Sequence, residues 1–369
     1  MIGTVERAHA RIDLVALANN VRRVAAAAGS ARLTAVVKAD AYGHGAVACS
    51  RVAIEAGAAA LAVHTIAEAE QLRMHGLTVP IMVMGPLSGE EWVRAGEAGI
   101  EVVAWTPEAI YTAGASGITG VHLELDSGMG RLGARAEDVA GLVDAARASG
   151  VKVVGIMTHF ATADDRDDAD AGFFREQLVR FRAAAAGLKG AFPEAAVHAA
   201  NSAAVFRDRQ AAFDMVRSGI ALYGCSPFHE DPAALGLLPV MRVVSYLAMV
   251  KTIRSRDSVG YGRTWRAERG TRLGLVPVGY ADGYARAFGN NADVLVAGRR
   301  VPVVGAVSMD QLTVDLGPES ADGVGAPVVL LGAAGDERIT AEELAARRGT
   351  INYEITCGMS KRLPRVYVG

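Results

Sequence analysis

Over the first two-thirds of the chain, short apolar runs rich in β-branched residues alternate with longer stretches rich in Ala, Arg and Glu, and this alternation limits the possible folds more than any other feature. Candidate strands are Leu33–Val37, Ala60–His64, Ile81–Met84, Glu101–Trp105, Val121–Leu125, Val153–Thr158, Ala196–Ala199 and Met215–Arg217. Helical patterns such as Val47–Glu55, Thr65–Met74, Ala136–Ala148 and Ala171–Ala186 lie between them. A strand that returns through a helix makes a parallel crossover, because tight turns join only antiparallel neighbours. Eight such strands over about 220 residues predict a (β/α)8 barrel. An open doubly wound sheet satisfies the same periodicity.

From about Pro239 the texture changes. Short β-like runs follow one another at Val243–Val250, Arg272–Val278, Asp293–Val296, Val301–Val307, Leu312–Val314 and Pro327–Leu331, and only Ala341–Arg347 reads as helix. The expected organisation is a barrel over residues 11–235 and a mostly β domain over residues 236–369, which a strand in residues 1–10 could join.

Charge and composition narrow the function. The 38 basic and 40 acidic residues leave a net charge of -2, so no basic excess exists to neutralise phosphates and no nucleic-acid partner is expected. No uncharged apolar run reaches the roughly 18 residues of a membrane span. Residues 1–10, MIGTVERAHA, lack the basic start and apolar core of a secretory leader. Cys49, Cys225 and Cys357 are odd in number, far apart and without metal-site spacing, which reads as buried free thiols in a reduced cytoplasm, with no metal centre.

Only five of the basic residues are lysines, so each can be weighed singly. Lys38 stands where an apolar strand ends, in TAVVKADAYGHG over Thr34–Gly45, the place where a barrel presents its chemistry. A desolvated amine there can form a Schiff base; the plainer reading is a solvated lysine capping a strand.

That segment resembles the cofactor-lysine motif of the alanine racemases, and further segments resemble the same family in the same order. They are HLELDSGMGRLG at His122–Gly133, THFATAD at Thr158–Asp164, HAANSA at His198–Ala203 and VRSGIALYG at Val216–Gly224. Then come GYGRTW at Gly260–Trp265, PVGYADGY at Pro277–Tyr284, VGAVSMDQ at Val304–Gln311, NYEI at Asn352–Ile355 and LPRV at Leu363–Val366. The resemblance spans both expected domains. It implies a (β/α)8 barrel carrying pyridoxal 5'-phosphate, a β domain behind it, and interconversion of L- and D-alanine, the latter a peptidoglycan precursor, in the cytoplasm.

The resemblance also implies roles. Lys38 is similar to the lysine that carries the cofactor and serves as base on one face of the substrate. Proton return on the opposite face needs a second group, and Tyr261 matches the tyrosine that crosses from a partner subunit, which implies a homodimer with composite sites. A tyrosine base needs neighbouring charge or hydrogen bonds. Arg217 matches the arginine facing the pyridine nitrogen. A guanidinium only donates, so it leaves that nitrogen unprotonated and weakens the ring as an electron sink, which suits racemisation better than decarboxylation. His159 resembles the residue backing this arginine. Ser202, Gly219 and Ile220 match the phosphate site after the last two strands, with Asn201 beside them and with Tyr42 and Tyr353 as phosphate tyrosines. Arg131 and the Met309 N–H match the binders of the substrate carboxylate, and an arginine fork suits a carboxylate. Tyr280 and Tyr353 resemble the residues narrowing the entrance, and Asp310 reads as structural.

Two positions depart from the family pattern. Glu124 stands where relatives carry a lysine that is often carbamylated, so a permanent carboxylate could orient Arg131. Ala306 replaces a frequent arginine in the VGAVSMD loop, which loosens the inference about substrate. A broader-specificity or serine-preferring racemase is therefore the alternative. A decarboxylase of the same build and a non-enzymatic cofactor carrier fit less well, given Arg217 for the first and the β domain with Tyr261 for the second.

Overall fold

The computed structural model describes residues 6–165 and 171–369. Residues 1–5, half of the segment read for a leader, lie outside the described residues. The chain forms two compact units. One is Leu17–Leu222 with Ala233–Leu237; the other is the described part of Met1–Ala16 with Tyr223–Pro232 and Leu238–Gly369.

The first unit is a closed barrel of eight parallel strands: Arg32–Val36, Ala60–Val63, Ile81–Val83, Glu101–Ala104, Val121–Glu124, Val153–Met157, Ala196–His198 and Met215–Ser218. The last strand pairs with the first, Leu33 opposite Val216, and this closure excludes the open sheet. Each strand falls on one of the apolar runs, because a strand covered on both faces needs continuous apolar side chains. Helices close the outside, and local chemistry sets where they start. Thr65 accepts from the Glu68 N–H at the head of Ile66–Met74, and the Glu68 carboxylate accepts in return from the Thr65 N–H. The same carboxylate accepts from the Ala39 N–H at 2.7 Å, tying this helix start to the loop that follows Lys38.

The second unit is mostly β. Its main sheet runs Arg299–Pro302, Asp293–Val296, Pro327–Ala334, Met241–Tyr246, Ala8–Asp13 and Arg365–Val368, with Glu337–Ile339 on Pro327–Ala334. The N-terminal strand Ala8–Asp13 thus sits in this sheet, antiparallel to Met241–Tyr246 and parallel to Arg365–Val368. The run read as Val243–Val250 is two strands, since the chain leaves the main sheet after Tyr246 and enters a three-stranded one at Met249–Ile253. Residues 352–358 form a helix that the pattern missed: its buried positions Asn352, Ile355 and Thr356 keep helical spacing, but two of the three are polar. No disulfide joins the three cysteines, and Cys357 is exposed, which corrects the reading of three buried thiols. No helix among the described residues is long and apolar enough to cross a membrane.

One buried carboxylate organises the turn Tyr280–Asp282. Asp282, fully buried, accepts from both Arg7 guanidinium nitrogens and from the Gly279 N–H at 2.9 Å, and pairs with Arg362 at 3.3 Å. Burial pushes its carboxyl up, but the Arg7 hydrogen bonds, the Gly279 N–H and the two guanidinium charges outweigh it and hold it below the usual range. Truncation as Asp282→Ala strands these donors, so thermal unfolding is expected to show a loss of about 3 kcal/mol, with Asp282→Asn losing less.

Candidate active site

The end of the first barrel strand delivers Lys38, and the backbone then does something unusual for residues with side chains. Ala39, Asp40, Ala41 and Tyr42 have φ between 53° and 55°, one turn of left-handed helix. Each costs about 1–2 kcal/mol relative to the right-handed region, so surrounding contacts must hold the turn. Asp40 accepts from the Ala46 N–H at 2.7 Å, Glu68 from the Ala39 N–H, and the His44 ring bonds the Ala41 and Tyr42 carbonyls at 2.9 and 3.0 Å. The turn brings the buried Tyr42 side chain against Gly219, just past the end of the last strand. A Cβ built on Gly219 would lie 2.3 Å from the Tyr42 hydroxyl, so only glycine leaves room for it.

Arg217, on the last strand, is buried. Its Nη1 donates to His198 Nδ1 at 2.7 Å and to the His198 carbonyl at 3.1 Å. Its Nη2 donates to the Thr158 carbonyl at 2.7 Å and lies 3.4 Å from His159 Nδ1. Burial lowers the Arg217 pKa to about 10, opposed by Glu124 and assisted by Arg131, so it stays charged at neutral pH. The half-buried His159 is pushed down to about 3 by burial and then by the charges of Arg217, Arg131 and Lys38, so it is neutral. Those influences place Lys38, Arg131, Glu124, His159 and Arg217 in one electrostatic neighbourhood at the C-terminal end of the barrel.

Glu124 closes the fifth strand and is buried. Burial raises its carboxyl above the ordinary value, and the positive charges of Arg217 and Arg131 pull it partly back. Arg131 itself is exposed on the loop that follows. Asp126 shapes that loop by accepting from the Gly128 and Gly130 N–H groups at 2.9 and 3.1 Å. Ser202 and Gly219 meet after the last two strands, the Gly219 N–H donating to Ser202 Oγ at 2.9 Å. Asn201 caps the short helix Ser202–Arg207, accepting from the Ala204 N–H at 3.0 Å. Ile220 begins the 3-10 turn beyond Gly219.

The remaining candidates belong to the β unit. Tyr261, Tyr280 and Met309 are exposed there, Tyr261 most of all at 72%. The loop Gly305–Met309 lies against the segments carrying both tyrosines. The Tyr280 N–H donates to the Ser308 carbonyl at 3.0 Å, and a Cβ on Gly260 would come within 3.2 Å of the Ala306 nitrogen. Asp310 pairs with Arg362 at 2.6 Å. Tyr353 sits on the helix Asn352–Gly358, its ring 6.5 Å from that of His229.

Gln177 escaped the sequence reading. It is fully buried, accepts from the Ala161 N–H at 2.9 Å and donates to the His159 carbonyl and Ser127 Oγ, bracing the loops that present His159 and Arg131. Its signal was one polar residue on the apolar face of a helix. His198 and His122 also escaped as a pair; they stand within strands, where a lone histidine carries no pattern.

Residues 12–227 match the alanine racemase N-terminal domain family and residues 240–367 the C-terminal domain family. The alanine racemase of Cutibacterium acnes is 43% identical, covering 98% of each chain. The structure of alanine racemase from Streptomyces coelicolor A3(2) superposes with a TM-score of 0.92 at 42% identity over 99% of both chains. That from Bartonella henselae with covalently bound pyridoxal phosphate superposes with a TM-score of 0.88 at 28% identity, over 98% of this chain and 99% of its own.

The two neutral histidines make the fold acid-sensitive. Burial and the Arg217 charge hold His198 well below its ordinary value, as they do His159. Both therefore contribute stability that is fully present above the unfolded-state value of about 6.5 and is lost as pH falls. Equilibrium unfolding below pH 6 is expected to lose up to about 1.4 kcal/mol per pH unit for each histidine, and His159→Gln should make the slope shallower.

Proposed function

This chain belongs to the alanine racemase family and is an isomerase, and from that premise we propose that it interconverts L- and D-alanine with pyridoxal 5'-phosphate by a two-base mechanism. The observation that carries the reading is Arg217: a buried guanidinium at the C-terminal end of the barrel, in the same electrostatic neighbourhood as Lys38. The Gly219 cradle supports the cofactor assignment, because the space a Cβ would fill brings the Tyr42 hydroxyl and Ser202 to one spot after the last strand. When bound, pyridoxal phosphate supplies an electron-withdrawing ring that acidifies the substrate Cα–H.

The chain's own residues divide the work. Lys38 would hold the cofactor through Nζ and would move a proton on one face of the substrate Cα. Tyr42, Asn201, Ser202, Gly219, Ile220 and Tyr353 hold the phosphate. Arg217 would donate to the ring nitrogen and leave it unprotonated, with His159 Nδ1 3.4 Å from its Nη2. Arg131 and the Met309 N–H bind the substrate carboxylate, and Tyr280 with Tyr353 narrows the entrance to small side chains. Tyr261 serves the opposite face from the partner protomer of a homodimer, which its exposure on the β unit permits. Glu124 would supply a carboxylate whose charge acts on Arg131 as well as Arg217, the service a carbamylated lysine would give, without needing carbon dioxide. The enzyme works in the cytoplasm.

Ala306 favours one refinement: with no cation in the loop that meets Gly260, larger or more polar side chains such as that of serine enter more readily. Turnover of L-alanine, L-serine and L-lysine with added pyridoxal phosphate tests the reading. Alanine racemisation without release of carbon dioxide is expected, and amine products would contradict it. Tyr261→Phe should keep the absorbance of the bound cofactor and lose about 100-fold or more in kcat. Glu124→Gln should raise KM for alanine about fivefold with kcat little changed, the effect of about 1 kcal/mol of lost carboxylate binding; unchanged kinetics would remove the role given to Glu124.

A further inference from the structure

A (β/α)8 barrel fills its interior with apolar side chains, and buried polar groups there are costly unless paired. This barrel instead holds a continuous chain of titratable groups. Glu101 opens the fourth strand, His122 is second on the fifth, His198 ends the seventh and Arg217 is third on the eighth. Glu101 Oε2 is 3.0 Å from His122 Nε2, His122 Nδ1 is 3.0 Å from His198 Nε2, and His198 Nδ1 is 2.7 Å from Arg217 Nη1. At its far end the chain reaches a cavity of about 360 Å³ among the strand beginnings, lined by Arg32, Glu101, His122, Lys152 and Glu194.

Chemistry fixes the direction of every bond. Arg217 can only donate, so His198 Nδ1 must accept. A neutral His198 then carries its proton on Nε2 and donates to His122 Nδ1. His122 in turn carries its proton on Nε2 and donates to Glu101, which as a carboxylate only accepts. No member can reverse without two donors facing each other. The backbone makes room for the arrangement: a Cβ on Gly155 would lie 1.9 Å from His122 Nδ1, and the ladder between the fifth and sixth strands shifts register between Val121 and His122.

We propose that Glu101, His122 and His198 form a positioning relay that locks the tautomer of His198 and thereby holds the Arg217 guanidinium against the cofactor ring. The relay rests on the reading of Arg217 given above. It reaches the reacting atoms only through Arg217, so its members are positioning residues and transfer no proton themselves.

Two variants separate this from simple core packing. His122→Gln can still accept from His198 and donate to Glu101, whereas His122→Leu does neither and strands the His198 N–H. In the holoenzyme, His122→Leu is expected to lower kcat about tenfold with KM within about twofold, the scale of one buried unpaired donor. It should also shift the absorption of the bound cofactor and raise the share of transamination, and His122→Gln should recover most of all three. Ring-15N NMR of histidine-labelled holoenzyme, with His198 assigned by its loss in His198→Asn, should show a neutral ring protonated on Nε2. A charged or Nδ1-protonated His198 overturns the relay, as does a His122→Leu enzyme that only melts earlier while spectrum and side reaction stay as in the wild type. Arg217→Lys is the control. A spectral response to it but not to His122→Leu overturns the relay, whereas no response to Arg217→Lys overturns the role of Arg217, and the His198 signal still reports the order of the relay by itself.

Discussion

The buried guanidinium of Arg217 is the charge around which the polar interior of the barrel is arranged. A buried cation needs compensation, and here it comes from the Thr158 and His198 carbonyls, from the ring of His198, and at longer range from Glu124. Burial, and after it the Arg217 charge, keeps His159 and His198 neutral. On the reading proposed above, Arg217 would also offer a donor to the ring of the bound cofactor. A carboxylate in the same place would protonate a pyridine nitrogen and strengthen it as an electron sink; an arginine does the opposite, which is the requirement of an isomerase that must return the proton without losing the carboxylate.

The loop after Lys38 is the second constraint. Four consecutive non-glycine residues in left-handed conformation store strain that Glu68, Asp40 and His44 together hold in place. The return is geometric: the lysine leaves the strand end while Tyr42 folds back onto Gly219. A helix cap, a strained turn and a missing Cβ thereby converge on one site.

The barrel was legible in the chain because parallel strands need continuous apolar runs, and all eight fall where those runs lie. The helix Asn352–Gly358 was not, since its inward face is half polar. The left-handed turn was not, since Ala39 to Tyr42 contain no glycine to signal positive φ. Lys38, Tyr42, Ser202, Arg217 and Gly219 could be singled out only because their motifs resemble a known family; spacing alone left Lys38 open to a plain reading. Gln177, His122 and His198 stayed hidden because burial pairs them across elements far apart in sequence, 76 residues in the case of the two histidines. The N-terminal strand, read as able to join the β domain, pairs with Met241–Tyr246 and Arg365–Val368, partners that no local pattern names.

The central claim is that the protein holds the cofactor's ring nitrogen as a hydrogen-bond acceptor. Reconstitution with pyridoxal phosphate labelled with 15N in the ring, followed by NMR of the bound cofactor, measures this directly. The account predicts the shift of an unprotonated pyridine nitrogen that accepts a hydrogen bond and keeps this state from pH 6 to 9. A pyridinium signal at neutral pH would contradict it.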